Sequence, residues 1–364
     1  MEKKASLRQP AEEIYADELQ SLKSLDDLPK PKGWLLSPRF VRCFIVGDEK
    51  KGISRKIYGE DSLIDRAIVS LMSAQGLMLA GEPGTAKSLL SELLAAAISG
   101  HSGLIVQGSA GTSEDHIRYS WNYALLLAEG PSERALVASP IFSAMKEGRI
   151  VRFEEITRCP PEVQDALISI MSEKSLAIPE LGSNDALRAA PGFNIIATAN
   201  LRDRGVNEMS SALKRRFNFE IVHPISDGEQ ERALVRQQLD ARLAPLGIEV
   251  SNIDATIDIL VETFQDLRTG RTREGIALTK PDAVMSTAEA VNVMQAAALE
   301  AAFLDNGSVS GAHIAHQIQG VILKDEPEDG KRFKAYIDYI VKDRAGKKGP
   351  WREFYSAARA LKLT

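Results

Sequence analysis

The sequence predicts an α/β protein with a three-layer core around a parallel sheet, followed by a smaller all-helical lid. Between residues 58 and 222, short apolar runs alternate with segments of helical periodicity, as in a parallel sheet covered by helices. From Ser226 onward the periodicity is almost wholly helical. We therefore predict four regions, in chain order: an N-terminal extension (1–45), an α/β core (46–225), a helical lid (226–320) and a C-terminal helical extension (321–364).

The composition is typical of a soluble globular protein. Of 364 residues, 44% are hydrophobic, and 45 Lys and Arg against 50 Asp and Glu give a net charge of −5. This acidic balance makes a nucleic-acid partner unexpected. Cys43 and Cys159 show neither metal-ligand spacing nor a disulfide framework, which favours a cytoplasmic location. The N-terminus is no secretory signal and every long apolar run is broken by polar residues, so direct membrane insertion is not expected.

The N-terminal extension is predicted to be a strap rather than a separate domain. A polar helix-like segment is followed by residues 26–40, in which three prolines and a glycine disfavour regular structure. After it, Leu63, Ile64 and Ala67 share one face of a predicted helix, which leads the chain into the first strand of the core.

The first strand, Leu77–Ala80, runs into a Gly-rich loop, and a helix is predicted from Lys87. The loop fits the pattern G-x-x-x-x-G-K-[ST] except that Ala86 replaces the second Gly. Such a loop lets backbone N–H groups converge on a polyphosphate at the positive end of a helix. Lys87 would neutralise the β and γ oxygens, and Ser88 would bind Mg²⁺. Ala86 then needs a backbone conformation that Gly adopts more easily. A chance Gly/Pro turn before a helix is the alternative.

Beyond a second strand at Leu104–Val106, two apolar runs flank a turn-like segment. Tyr123–Leu127 and Ala135–Ala138 are predicted to form a β-hairpin. The neighbouring Tyr119 and Trp121, together with Tyr123, are expected to pack in the core or hairpin; a substrate-gripping loop is the alternative.

A further strand, Ile150–Phe153, ends at the pair Glu154-Glu155 and is followed by a Pro-led helix. Successive strand side chains face opposite ways, so one of the two carboxylates can face a metal while its neighbour faces the attacking water. Solvated surface charge is the alternative. We expect Arg152, two residues earlier on the same face, to pair with Glu154.

The next strand, Phe193–Ala199, ends on Asn200, at the edge of the sheet where ligands of open α/β sheets bind. An amide there can hydrogen-bond both the γ-phosphate and the attacking water, although a turn residue is the alternative. The segment Ala212–Phe217 then precedes a strand at Phe219–Val222.

With the Gly-rich loop, Glu154-Glu155, Asn200 and Arg216 in this order, the chain resembles AAA+ ATPases. The segments FEEITRCPPEVQDALISIMSE and FNIIATAN are similar to those of the MoxR group. The resemblance implies a homo-oligomeric ring, usually a hexamer, with ATP at each subunit boundary. It implies nucleotide contacts from Tyr58, Gly59, Gly81, Glu82, Pro83, Gly84, Thr85, Ala86, Lys87, Ser88 and Leu89.

The resemblance also implies roles for individual side chains. Ser88 and Glu154 would hold Mg²⁺, Glu155 would orient or deprotonate water, and Asn200 would sense the γ-phosphate. Arg216 would reach into the neighbouring subunit's site and stabilise transition-state charge. Residues 123–138 match the family's insert in its second helix, and residues 175–192 match its hairpin before the sensor strand.

The chain departs from the family pattern at three positions: Ala86 replaces Gly, Glu154 stands where Asp is usual, and Ala288 stands where the lid carries Arg. Lys280 and Arg273 are the candidate substitutes for that Arg. These departures would affect the rate of hydrolysis more than the binding of the nucleotide.

Three functions follow as hypotheses. The resemblance implies an ATP-driven remodeller of a protein client, working with a von Willebrand A domain partner. A nucleotide-gated binding module with negligible turnover is the alternative that the three departures suggest. A DNA translocase is disfavoured by the acidic charge and by an insert that is not rich in Lys or Arg.

Overall fold

A computed structural model describes residues 8–182, 186–200, 206–283, 285–324, 326–346 and 348–362. The chain divides into two compact units. The first comprises the chain up to Gly81 together with Ala86–Val222, and the second comprises Glu82–Thr85 and the chain from His223 onward.

The described residues form nine strands and sixteen α-helices. The strands are β1 (Gly76–Gly81), β2 (Ile105–Gln107), β3 (Tyr119–Trp121), β4 (Leu136–Ala138), β5 (Ile150–Glu154), β6 (Ser175–Ala177), β7 (Ala186–Arg188), β8 (Asn194–Asn200) and β9 (Phe217–Val222). The helices are α1 (Ala11–Ile14), α2 (Ala16–Leu25), α3 (Pro38–Val46), α4 (Asp61–Met72), α5 (Lys87–Ser99), α6 (Tyr123–Glu129), α7 (Pro140–Glu147), α8 (Pro161–Glu173), α9 (Ser211–Lys214), α10 (Gly228–Leu243), α11 (Ile253–Thr269), α12 (Thr287–Leu304), α13 (Gly311–Ile322), α14 (Pro327–Tyr336), α15 (Lys342–Arg344) and α16 (Pro350–Ala360).

The core of the first unit is a five-stranded sheet in the order β2-β5-β8-β1-β9. All four strand pairs are parallel. The carboxyl ends of β1, β5 and β8 therefore meet at one edge, and Gly81 pairs directly with Asn200. The predicted α/β class with a parallel sheet is confirmed.

Helices cover both faces of this sheet because its central strands are apolar on both sides. Leu77 and Leu79 of β1 pack in one hydrophobic cluster with α3, α4 and α5, whereas Met78 packs in the other with α7 and α8. Alternation along a strand thus produces the three layers.

The N-terminal segment belongs to the core of the first unit. Leu19, Leu22 and Trp34 are buried in the same cluster as α3, α4 and α5. The prediction that residues 26–40 lack regular structure is wrong at its end, because α3 begins at Pro38. Proline is favoured at the first position of a helix, where no N–H partner is needed.

The second unit is all-helical around one hydrophobic core. Leu239, Phe264, Met294, Ile318 and Phe354 are all buried in a single cluster. Helices on both sides of residue 320 contribute to it, and α14 continues into a π-helical turn at Ile337–Val341. The boundaries at 46 and 320 stay predictions.

The predicted hairpin is wrong in its first arm. Residues Tyr123–Leu127 lie in α6, and β4 pairs instead with β3, antiparallel. The Asn122 side chain accepts the Leu125 N–H at 3.3 Å and starts the helix. Tyr119 is buried edge-to-face against Trp121, as expected, but Tyr123 is 71% exposed, so packing does not explain it.

A second small hairpin precedes β8. β6 pairs antiparallel with β7, in agreement with the resemblance, although residues 183–185 between them lie outside the described part. Among the described residues, no helix is both long enough and apolar enough to span a bilayer.

Candidate functional site

The Gly-rich loop joins β1 to α5, as the sequence predicts. Ala86 adopts a left-handed conformation (φ 63°, ψ 21°), which costs an L-residue roughly 1–2 kcal/mol. Gly84 also has a positive φ, of 74°. Lys87 is buried, and its Nζ donates a hydrogen bond to the carbonyl oxygen of Gly81 at 3.2 Å. Ala86 therefore takes the conformation that the motif assigns to glycine.

Glu154, at the end of β5, accepts four hydrogen bonds near the loop. Its Oε2 accepts from Ser88 Oγ at 2.7 Å and from Thr198 Oγ1 at 2.8 Å. Its Oε1 accepts from Ser91 Oγ at 2.7 Å and from Arg152 Nη2 at 2.8 Å. Burial alone raises the pKa of Glu154, but these four donors outweigh it, so the pKa lies below its usual value. The carboxylate is held in its charged form.

The predicted pairing of Arg152 with Glu154 is confirmed. The guanidinium is buried and also donates from Nε to Ser91 Oγ at 2.9 Å and from Nη2 to the Ser88 carbonyl at 2.9 Å. Arg152 thus ties β5 to the first two turns of α5.

The backbone conformation of Glu155, rather than strand alternation, separates its side chain from that of Glu154. Glu155 follows β5 in a left-handed conformation (φ 54°, ψ 46°), so strand alternation does not set its direction. Its backbone N–H donates to Thr198 Oγ1 at 2.9 Å, and its carboxylate pairs with Arg158 Nε at 2.7 Å. The two carboxylates therefore have separate environments.

Three contributors near Glu154 were not predicted: Thr198, Ser91 and Gly108. Gly108 N–H donates to the Glu154 carbonyl at 2.7 Å, and a Cβ at Gly108 would lie 2.3 Å from the Glu155 carbonyl oxygen. No larger residue fits there without moving the backbone of the glutamate pair. A glycine directly after β2 was the available signal.

Asn200 lies where the sequence predicts, at the end of β8. It is half-buried and pairs in register with Gly81, so its side chain sits on the strand next to the loop. The structure thus brings Lys87, Ser88, Glu154 and Asn200 to one edge of the sheet. This is the edge at which parallel α/β sheets bind ligands.

Arg216 lies at the opposite side of the sheet, where β1 and β9 begin. Gly76, the first residue of β1, pairs with Phe217, and its N–H donates to the Arg216 carbonyl at 2.8 Å. Five residue steps of strand, about 17 Å, separate this point from Gly81. The Arg216 guanidinium donates to Ser172 Oγ at 3.0 Å and to the Ala212 carbonyl at 2.7 Å.

The remaining predicted residues are placed without a test of their roles. Tyr58 is half-buried with the Arg55 guanidinium 5.4 Å from its ring centroid, and Gly59 has a φ of 117°. Thr85 Oγ1 donates to the Glu82 carbonyl at 2.9 Å. Nucleotide contacts from these residues, from Pro83 and from the half-buried Leu89 stay predictions, as do lid roles for Lys280 and Arg273.

The residues present fit a nucleotide with Mg²⁺. α5 spans 13 residues and begins after Ala86, whose side chain has no acceptor to cap it, so its first N–H groups can serve an anion. Ser88 Oγ and Glu154 Oε2 are two adjacent oxygen atoms, and Mg²⁺ takes one or two such protein ligands together with phosphate oxygens and water. In the described residues no cluster of three or more His, Cys, Asp or Glu could hold a metal without such help.

Comparison with known proteins gives two family matches along the chain. Residues 76–217 match the AAA domain of the dynein-related subfamily, and residues 229–362 match the YehL-like AAA+ ATPase C-terminal domain. The uncharacterized protein YehL of Escherichia coli (strain K12) is 50% identical over 355 residues, covering 97% of each chain.

More distant similarities are partial. The uncharacterized protein SH1500 of Staphylococcus haemolyticus is 28% identical over 216 residues, covering 58% of this chain and 76% of the relative. A crystal structure of NtrX from Brucella abortus aligns with a TM-score of 0.49 at 13% identity, over 83% of this chain and 62% of that chain, and it carries no functional argument. On the strength of the two family matches and the full-length relative, the chain belongs to the AAA+ ATPase family, among proteins with the YehL-like C-terminal domain.

Proposed function

We propose that this protein binds and hydrolyses ATP with Mg²⁺ in a ring of identical subunits. The observation that carries the proposal is the contact between Ser88 Oγ, at the last position of the phosphate-loop motif, and Glu154 Oε2, at the carboxyl end of β5. In a member of the AAA+ family, an adjacent hydroxyl and carboxylate beside this loop support the proposal, because a phosphate-bound cation takes oxygen ligands of this kind.

Each residue at this edge takes a role in the proposal. Lys87 and the first N–H groups of α5 hold the phosphates, and Ser88 with Glu154 holds the cation, which supplies charge neutralisation. Glu155, whose half-exposed carboxylate pairs with Arg158, orients or deprotonates the attacking water. Asn200 hydrogen-bonds the γ-phosphate from the adjacent strand.

The position of Arg216 supports an oligomer. Because it lies at the far end of β1 from the loop, it cannot serve the nucleotide site of its own chain without a large rearrangement. We propose that it serves the site of an adjoining copy, where it stabilises transition-state charge. By resemblance to the MoxR group, we take the ring to be a hexamer.

A mixing experiment tests this proposal. Arg216→Ala is expected to lower turnover about 1,000-fold, and Lys87→Ala to abolish it by removing phosphate binding. An equimolar mixture regains activity, because some boundaries combine an intact Lys87 with an intact Arg216. The exposed neighbour Arg215→Ala is the matched control and keeps its activity. A mixture no more active than its parts would contradict action across a boundary.

A nucleotide-gated binding module with negligible turnover is the second candidate. Two observations favour it: Ala86 is strained, and Glu154 already satisfies four donors without a cation. Steady-state phosphate release by the purified protein, with Lys87→Ala as the blank, separates the two functions. Under the hydrolase proposal, Glu155→Gln binds ATP but releases no phosphate above that blank. Equal rates for the wild type and the blank favour the module.

We further propose a MoxR-type role, in which turnover remodels a protein client in the cytoplasm together with a von Willebrand A domain protein. The resemblance of the segments around Glu154 and Asn200 to that group supports it. The test is nucleotide-dependent retention of a von Willebrand A domain protein from the same organism. Retention by the wild type with ATP, but not by Lys87→Ala, is expected, and retention by neither protein would remove this partner.

A further inference from the structure

A continuous set of polar contacts connects the N-terminal helix α1 with α5. The N–H of Ala11, the first residue of α1, donates to Glu92 Oε1 at 3.0 Å, and Arg8 Nη2 donates to Glu92 Oε2 at 2.7 Å. Glu92 is buried, at 5% exposure, and lies on α5 one turn beyond Ser88. Two donors from the N-terminal segment thus satisfy a buried carboxylate on the phosphate-loop helix.

A second contact of α1 reaches Arg152. Glu12 accepts from the Ser102 N–H at 3.0 Å and from Ser102 Oγ at 2.6 Å. The carbonyl of Ser102 in turn accepts from Arg152 Nη1 at 3.3 Å. Both contacts of α1 therefore end at the buried guanidinium that pairs with Glu154.

Arg152 lies between two buried carboxylates. Its Nη2 is 2.8 Å from Glu154 Oε1, and its Nη1 is 4.0 Å from Glu92 Oε2. A buried carboxylate without compensation is strongly destabilising, so either one would draw the guanidinium if it lost its other donors. While Ala11 and Arg8 satisfy Glu92, Arg152 stays on Glu154.

We infer that α1 is a positioning element of the nucleotide site. By satisfying Glu92, it keeps Arg152 on Oε1 of Glu154, so that Oε2 stays directed at Ser88, where the proposed cation is held. Release of α1 would move Arg152 toward Glu92 and free Glu154 to rotate, which weakens cation binding. Arg152 and Glu92 are positioning residues in this scheme. The inference deepens the proposed function and rests on it.

The full-length double variant Arg8→Ala/Ala11→Pro tests the inference. Proline at the first helical position lacks the N–H donor but keeps the helix start. We expect the Mg²⁺ concentration for half-maximal binding of a fluorescent ATP analogue to rise about tenfold, as for loss of an outer-shell metal partner. Adding Glu92→Gln removes the competing charge, so the triple variant is expected to return to the wild-type Mg²⁺ requirement. Loss of the packing of α1 alone would not be reversed by removing the charge of Glu92.

Amide hydrogen exchange of the nucleotide-free protein provides a second measurement. Amide hydrogen exchange at residues 150–154 is expected to be faster in the double variant and to return to the wild-type rate in the triple variant. Arg134→Ala, which removes an exposed ion pair with Glu129, is the control and changes neither quantity.

The outcomes separate this inference from the proposed function. A double variant with a wild-type Mg²⁺ requirement, or a triple variant that stays impaired, overturns the positioning role while leaving ATP binding intact. A wild-type protein that binds no Mg²⁺ nucleotide overturns both. Faster exchange together with a rescued Mg²⁺ requirement supports the inference.

Discussion

Glu154 in the α/β unit and Glu231 in the helical unit are both buried glutamates, and both have four hydrogen-bond donors that include an arginine. Glu231 is fully buried and accepts from Arg268 at 2.7 and 3.0 Å, from Gln265 at 3.0 Å and from Thr287 at 2.7 Å. By burial and charge pairing alone, the two carboxylates could not be told apart.

The difference lies in what their donors are attached to. Ser88, a donor to Glu154, is exposed and lies in the first turn of the phosphate-loop helix, so a ligand can take its place. The donors of Glu231 come from α11 and α12, and Arg268 also donates to the Ile225 and Met285 carbonyls. An exchangeable donor, rather than burial, therefore marks a buried carboxylate as a candidate site.

The largest effect is expected in the helical unit. Arg268→Ala leaves Glu231 charged, buried and without its cation, which should cost about 3–5 kcal/mol of unfolding free energy. Hydrogen exchange of α11 and α12 amides under native conditions measures it. The exposed Arg273→Ala is the control. A loss below about 1 kcal/mol would mean that Glu231 does not hold this unit together.

A smaller effect of a different kind is expected at Glu154. Glu154→Gln keeps the size of the side chain but removes its charge, so turnover should fall about 100-fold, equivalent to about 2.7 kcal/mol. The free energy of unfolding should fall by about 2 kcal/mol, because the buried Arg152 loses one charged partner but keeps Glu92 Oε2 within 4.0 Å. Parallel phosphate-release and urea-unfolding measurements check both values. A larger loss of stability than of turnover would make Glu154 a structural residue like Glu231.

Relief of strain at Ala86 should be smaller still. Ala86→Gly removes the cost of a left-handed L-residue but adds freedom to the unfolded chain, so we expect a net gain of up to about 1 kcal/mol. The thermal midpoint of the nucleotide-free protein measures it. A lower midpoint would show that the alanine methyl makes favourable contacts that outweigh the strain.

The smallest effect concerns acid stability of the helical unit. The hydrogen bond from Arg344 lowers the pKa of Glu274 to about 2, against the opposing effect of burial. The folded value lies below the unfolded one, so Glu274 stabilises the fold above about pH 4.5 and loses this effect as pH falls toward 2. Its side chain is half exposed, so the difference between wild type and Glu274→Gln should stay under about 1 kcal/mol.

Unfolding free energies of the two proteins at pH 7 and pH 3 check this prediction. Asp266 also contacts Arg344, but burial raises the pKa of Asp266, so its proton uptake favours the folded state as pH falls. The difference between wild type and variant cancels this opposing contribution. A stability difference that grows toward pH 3 would contradict the sign.

Local signals predicted much of the α/β unit. Consecutive residues were enough to predict the strand, loop and helix around Lys87 and the strands that end at Glu154 and Asn200. Each of these strands is an apolar run bounded by polar or Gly positions. The Arg152 to Glu154 pair followed from side-chain alternation along one strand. Each of these features depends on neighbours in sequence.

The features that the sequence did not predict depend on contacts between residues distant in sequence or on a single helix N-cap. Thr198 reaches Glu154 only because β5 and β8 are adjacent in the sheet, which the order of the strands in sequence does not reveal. Residues 123–127 were predicted as a strand because a short apolar run fits strand and helix equally well, and the Asn122 cap decides for helix. The roles proposed for Glu155 and Arg216 need a ligand and a second copy.

The separation of Arg216 from Gly81 along β1 has a consequence for how the protein would respond to its own abundance. On the proposed mechanism a lone subunit carries both halves of a catalytic centre but can never join them. Specific activity should then climb steeply with protein concentration and vanish on dilution. The amount of protein in the cell would then set the activity per subunit, and a subunit defective in one half would still supply the other half to its neighbour.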